Sequence, residues 1–280
     1  MSSDEEPFVL VTSKRQKSKN NKPILSRQSH KQHDSGKLIQ LFAEDNGKTF
    51  DKSAELRKIA DFTQKIENSD YFRQSVDLVS NQSTEPPITK IVCFGIGHIR
   101  HCNTSRYQLA YILALRRHLQ VESIQFHEPL LTGHDEDLLN ALHCELVSIN
   151  IEGKLEINPS ETTLVFLPHC PKQLINNLLW KNWSANALRR IVLISNSFQA
   201  IVQQTPTSCL GQDAGYISRI ERHTTEFSLR NSFEHRNVFN DIAIHFFNAD
   251  HYEDNFFDHQ LEPSYDTSEL IETIDRLTIR

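Results

Sequence analysis

Between Ser53 and Val79 apolar residues fall at spacings of three and four: Leu56, Ile59, Ala60, Phe62 and Ile66, then Phe72, Val76 and Val79. This is the period of one helical face, and it predicts one or two amphipathic helices. Asn81 to Pro87 breaks the pattern with paired prolines and reads as a linker. Beyond it, short continuous apolar runs alternate with helical periods. Ile91–Phe94, Ser123–Phe126, Leu146–Ile149, Leu164–Leu167 and Ile191–Ile194 read as buried strands, and Tyr107–Leu119, Leu138–Leu142 and Leu174–Trp183 as helices between them. After Ser197 the pattern is weaker, with a helix over Gly215–His223 and a further strand over Ile242–Phe246.

Strands alternating with helices imply a mostly parallel sheet covered on both faces, an α/β, Rossmann-like three-layer sandwich. Four regions follow. Residues 1–50 are expected to be a disordered basic arm, 51–87 a helical lead-in and linker, 88–250 the Rossmann-like domain, and 251–280 an acidic tail with one amphipathic turn around Leu270, Ile271 and Ile274.

Charge sharpens the two ends. The whole chain carries a net −6, but Ser13–Lys31 holds seven Lys and Arg and no acidic residue, whereas eight acidic residues from Glu253 onward face only Arg276 and Arg280. The basic arm suits a nuclear transport signal better than nucleic-acid recognition, since it lacks interleaved aromatics and any element shaped for a groove. No apolar window is long enough to span a bilayer, and the first residues do not read as a signal peptide, so the expectation is a cytoplasmic protein, with the nucleus as a second compartment and no membrane partner. Five cysteines without a C-x-x-C spacing argue against a disulfide framework and against a structural metal site.

In open α/β sheets ligands sit outside the carboxyl ends of the strands. The residues there are Gly95-Ile96-Gly97-His98, His127-Glu128-Pro129, Pro168-His169-Cys170-Pro171 and Ser195-Asn196-Ser197. Gly95 and Gly97 match the first two glycines of a dinucleotide loop, but Arg100 stands where the third would be. Ser105 and Gln108 have capping-box spacing, which would start the helix late. Glu128 occupies the place where an acidic side chain accepts ribose hydroxyls, although Cys93 replaces the acid expected beside the first loop of an S-adenosylmethionine site. The candidate ligand-binding residues are therefore Gly95, Gly97, Glu128, His169, Cys170, Asn196 and Ser197.

His169-Cys170 between two prolines has three readings. A cysteine nucleophile would need a base held in reach, with His98 or His245 as candidates across the cleft. Cys170-Pro171 is also the dipeptide of haem regulatory motifs. The plainest reading is structural: Pro168 ends a strand, Pro171 opens a helix and Cys170 is a small residue at the cap. His101-Cys102 and His143-Cys144 repeat the pair without a shared mechanism. A nucleotide-like ligand or haem is thus the cofactor question, and unidentified proteins are the partners.

Taken in order, Cys93-Phe94-Gly95-Ile96-Gly97, Gln108-Leu109-Ala110, Glu128-Pro129, Leu167-Pro168-His169-Cys170-Pro171, Leu178-Leu179, Asn182-Trp183, Ser195-Asn196-Ser197-Phe198, Phe239-Asn240-Asp241 and Ile244-His245-Phe246 resemble the Sensitivity-to-Red-Light-Reduced domain family. The similarity runs from about Lys90 to Phe247, and the proline-bracketed His-Cys with the later Asn-Trp is its most specific part. The resemblance implies a regulator in circadian-clock input, affecting clock-gene expression and, in animal relatives, haem biosynthesis. It implies no established enzymatic activity and no catalytic residue. The residue alternatives are a nucleotide- or S-adenosylmethionine-dependent transferase and a nucleic-acid or chromatin adaptor.

Overall fold

The computed structural model describes residues 50–82, 86–247, 252–258 and 260–265. The basic arm and the turn around Leu270, Ile271 and Ile274 lie outside them. Two helices lead in, α1 (Lys52–Glu67) and α2 (Asp70–Asn81), as their periodicity predicts. Asp51 caps the first and Ser69 the second, each side chain accepting a backbone N–H in the first turn.

Then follow β1 (Ile88–Phe94), α3 (Asn103–Leu119), β2 (Ile124–His127), α4 (Gly133–Ala141), β3 (Cys144–Leu146), β4 (Thr162–Leu167), α5 (Lys172–Lys181), α6 (Ala185–Leu188), β5 (Ile191–Asn196), α7 (Phe198–Gln204), α8 (Thr207–Ile220), β6 (Thr224–Ser228) and β7 (Ile242–Phe247). The strands form one sheet in the order β3-β2-β1-β4-β5-β7-β6. All neighbours from β3 to β5 pair in parallel, and β7 is antiparallel to both β5 and β6. This is the expected Rossmann-like α/β architecture. The chain winds outward from β1 through β2 to β3 and then returns to place β4 on the other side of β1. The reversal of strand order therefore falls between β1 and β4.

Central β4, Thr-Thr-Leu-Val-Phe-Leu, is buried at every position, as an apolar run covered on both faces must be. On one face Ile91, Cys93, Leu164, Phe166 and Ile194 pack under α1 to α4 and the segment between β6 and β7; Tyr71, Tyr111 and Phe239 join them. On the other, Val92, Phe94, Val165, Leu167 and Leu193 pack under α5 to α8.

Local differences from the sequence reading have identifiable causes. The third strand is Cys144–Leu146, not Leu146–Ile149: His143 turns the chain in the left-handed region at φ 56°, so pairing starts at once, opposite Ile124, and Ile149 is left 69% exposed. Helix α3 begins at Asn103 with Cys102 as its N-cap, four residues ahead of Tyr107. Gln108 is not part of a capping box; its amide donates to the Val238 carbonyl at 3.2 Å. β6 is a half-exposed edge strand, and its weak alternation gave no usable period.

Residues 252–258 and 260–265 run over the α5–α8 face. Phe256 stacks on Trp183 at 5.4 Å and Tyr265 reaches Asn176 at 2.8 Å, contacts that charge composition alone does not suggest.

Candidate functional site

The strand-order reversal is flanked by the turn after β1 and the turn after β4. Gly95 and Gly97 both adopt positive φ, 63° and 70°. A Cβ on Gly95 would lie 2.4 Å from the Cys170 sulfur, so only glycine lets the two turns meet. Cys170 donates its thiol to the Phe94 carbonyl at 3.6 Å, and burial pushes that thiol far above its ordinary range. It is a neutral packing group. A thiolate bound to haem iron would need this sulfur ionised and accessible, and the residues around it do not fit that role.

Glu128 is brought to the same turn. One carboxylate oxygen accepts the Gly97 N–H at 2.8 Å and the other accepts the Leu130 N–H at 3.0 Å. Burial raises its pKa, and the two backbone donors offset only part of that. The carboxylate thus fills the concavity of the glycine turn with its own charge. Just beyond, Asp135 is fully buried: one oxygen accepts the Arg100 N–H at 3.1 Å, and the other accepts the Thr132 N–H at 3.0 Å and lies 3.7 Å from His98. Burial pushes this carboxyl up, but the His98, Thr132 and Arg100 contacts outweigh it and hold the group below its usual value. Thr132 and Asp135 complete a capping box on α4, a T-x-x-D spacing visible in the sequence and absent from the candidate set.

His169 sits between β4 and α5 at φ 53°, a left-handed conformation rare for a residue with a side chain. Its Nε2 lies 3.0 Å from the Val238 carbonyl. A carbonyl only accepts, so this nitrogen carries the proton and Nδ1 is the acceptor nitrogen of a neutral ring. Burial lowers its pKa, against the opposing pull of the Val238 carbonyl and of Asp241.

Asn196 and Ser197 belong to a second group, held from β6 and β7. The Ser197 N–H donates to the Asp241 carbonyl at 2.9 Å, its hydroxyl accepts the Ala200 N–H at 3.1 Å, and it donates to Glu226. Glu226 also accepts the Phe198 and Gln199 N–H groups at 2.9 and 3.2 Å, capping α7. Burial opposes ionisation there, but His245, Ser197 and the backbone donors prevail and the pKa is lowered. His245 is fully buried and stacked on Phe198; its ring nitrogens lie 3.2 Å from the Leu193 carbonyl and 3.4 Å from Glu226. The carboxylate bridges serine and histidine, so the histidine is not placed between the other two as a hydrolytic triad requires. Among the described residues no group of three metal-ligating side chains converges. No helix among them is long and apolar enough to cross a membrane.

The structure therefore joins Gly95, Gly97, Glu128 and Cys170 into one unit, places His169 beside it under the β6–β7 segment, ties Ser197 to Glu226 and Asp241, and leaves Asn196 at the end of β5 opposite Ile242. Glu226, on an edge strand of mixed polarity, carried no sequence signal.

Among solved structures, a Corynebacterium glutamicum protein matches 78% of this chain and 99% of its own at 9% identity and TM-score 0.41. An S-adenosylhomocysteine-bound Podospora anserina methyltransferase matches 81% and 99% at 12% identity and TM-score 0.34. Curated relatives are nearer in sequence. An SRR1-like protein of Drosophila melanogaster is 34% identical over 181 residues, 64% of this chain and 63% of that protein. A mouse SRR1-like protein is 35% identical over 133 residues, 47% of this chain and 53% of that one. The Arabidopsis thaliana protein SENSITIVITY TO RED LIGHT REDUCED 1 is 30% identical over 204 residues, covering 66% and 71%. The chain thus spans less than two thirds of the Drosophila and mouse relatives. A model of the SRR1 domain matches residues 48–246, from just ahead of α1 to within one residue of the end of β7, and so takes in both groups at the sheet edge: the chain belongs to the SRR1 domain family.

Proposed function

We propose that this protein is a regulator in a light- or clock-input pathway, acting on clock-gene expression and haem biosynthesis from the cytoplasm and nucleus, with the carboxyl edge of its sheet as the functional surface. The observation that carries the reading is the family match across that whole edge, together with a plant relative named for reduced sensitivity to red light. The site's chemistry supports regulation over catalysis. Both Glu128 oxygens and the Cys170 thiol are spent on holding loops, and His169 offers a single acceptor nitrogen at the reversal point, suited to recognising a donor on a small ligand.

The transferase reading requires a nucleotide-like cofactor to take the Gly97 N–H from Glu128. Native mass spectrometry of the full chain purified from cells, followed by titration with S-adenosylmethionine, nicotinamide dinucleotides and haem, separates the two. The regulator reading expects no cofactor-dependent turnover, and removal of the gene should change the period or amplitude of a clock-reporter rhythm. A co-purifying methyl donor with turnover, or an unaltered rhythm, would sink it.

A further inference from the structure

Outside the sheet edge, residues 252–258 and 260–265 lie along the groove between α5 and α8. The described residues of this segment have no regular secondary structure, and it follows β7 and the end of the family match. Its acidic side chains Glu253, Asp254, Asp258 and Glu262 are exposed, while Tyr252, Phe256, Phe257 and Tyr265 are partly buried. The groove reads it as a peptide is read. Arg219 donates to the Phe256 carbonyl at 2.6 Å and to that of Asp258 at 3.3 Å, Tyr216 donates to the Leu261 carbonyl at 2.6 Å, and the Trp180 carbonyl accepts from Gln260 at 2.6 Å.

Side chains supply the specificity. Phe256 stacks on Trp183 at 5.4 Å and Phe257 meets the same indole edge-on at 5.6 Å, while the Arg219 guanidinium lies 4.7 Å above the Trp183 ring. At the far end the Tyr265 hydroxyl is held by Asn176 at 2.8 Å and Asn177 at 3.1 Å. Glu262 pairs with Lys154 at 2.8 Å. The fit is incomplete at one point. Trp183 is only 4% exposed, yet its indole N–H has no hydrogen-bond partner among the described residues. A buried donor without an acceptor is a standing cost to the packing at this point.

We infer that the α5–α8 groove is a docking site for an extended segment of a partner protein, one with two adjacent aromatic residues, a tyrosine eight residues further on and an acidic residue between them, and that the segment after β7 occupies it in cis as a competitor. The tether is short, since β7 ends at Phe247 and the segment begins at Tyr252. It supplies the competitor at an effective concentration on the order of millimolar, so a partner must bind well or arrive when the segment is displaced.

The test uses the 280-residue chain and a fluorescent synthetic peptide with the sequence of residues 252–265. In a chain carrying Phe256→Ser and Phe257→Ser the groove is released, and polarisation should show saturable binding that Arg219→Ala in the same background abolishes. The unaltered chain should bind on the order of a hundredfold more weakly, because its competent fraction is small. Equal binding by the two chains, or binding by neither, would overturn the proposal. Concentration-dependent dimerisation of the unaltered chain through this segment would also overturn it, by assigning the groove to a second copy. Hydrogen exchange on the unaltered chain gives a check that does not depend on the variant's folding: amides of 252–265 should exchange well before those of α5 and α8. Exchange only with global unfolding would make the segment a permanent part of the core and refute competition.

Discussion

Gly95 has no side chain because Cys170 occupies the space that one would need. Gly95→Ala should cost about 2–5 kcal/mol, the sum of a left-handed residue with a Cβ and an overpacked contact. Urea unfolding measures it. In a Cys170→Ala background the same change should cost only the conformational part, about 1–2 kcal/mol, and additive costs would show that the sulfur contact carries nothing. His169 makes a second residue-scale expectation. Its Nε2 faces a carbonyl, so nitrogen NMR should find the Nε2–H tautomer, titrating below the ordinary histidine range. The sign follows from the depressed pKa. As pH falls below the ordinary histidine value the unfolded chain takes up a proton before the folded one, and stability from this group is lost on the acid side. His169→Asn, which tolerates the left-handed backbone, should flatten that part of the pH–stability curve. The sequence placed His169 and Cys170 correctly after β4 but could not separate ligand from packing group. That distinction rests on a sulfur lying against a glycine 75 residues away in the chain.

At the scale of loops and helices, two carboxylates with opposite electrostatics fasten the edge. Glu128 joins the turns after β1 and β2, and its pKa is raised chiefly by burial. Between the ordinary carboxylate value and the raised one the folded state holds more protons than the unfolded state, so its contribution to stability falls as pH rises through that window. Glu226 caps α7 with a lowered pKa, and its contribution is lost as pH falls through the lowered value. Subtracting the unfolding free energy of Glu128→Gln from that of the unaltered chain, and doing the same for Glu226→Gln, should give pH slopes of opposite sign. Slopes of the same sign would contradict the assignments. Asn182 is a third fastener. It accepts the Ile157 N–H at 2.8 Å and donates to the Leu155 and Leu178 carbonyls at 2.7 and 2.8 Å, tying the β3–β4 connection to α5. Asn182→Ala should cost about 2–4 kcal/mol, since buried backbone groups lose their partners. Long helices and central strands were legible because burial imposes a period over many residues. β6, α7, the first half of α8 and the true start of α3 were not, because edge exposure, short length, the break at Ala214 and a cysteine cap leave no period and no capping signature; α8 runs Thr207–Ile220 where the sequence suggests Gly215–His223.

For the molecule as a whole, alternation of strands and helices was enough to infer a mostly parallel sheet, but not that β7 would run antiparallel between β5 and β6. That placement is decided by contacts distant in sequence, such as Ile194 with Ile244 and Phe227 with Ile244. The aromatic residues after β7 were hidden in an acidic stretch for the same reason: their partners include Trp183 and Asn176, far back in the chain. Deleting residues 1–35 should leave thermal unfolding unchanged while reducing nuclear accumulation, and equal nuclear accumulation would dismiss the arm as a transport signal. The central claim, that an SRR1 domain regulates a light or clock pathway through the edge where His169 stands, is tested most directly by rescue. In clock-reporter cells lacking the gene, the unaltered protein should restore the rhythm, whereas His169→Asn, present at equal level and equally folded, should not. Full restoration by His169→Asn would contradict the account.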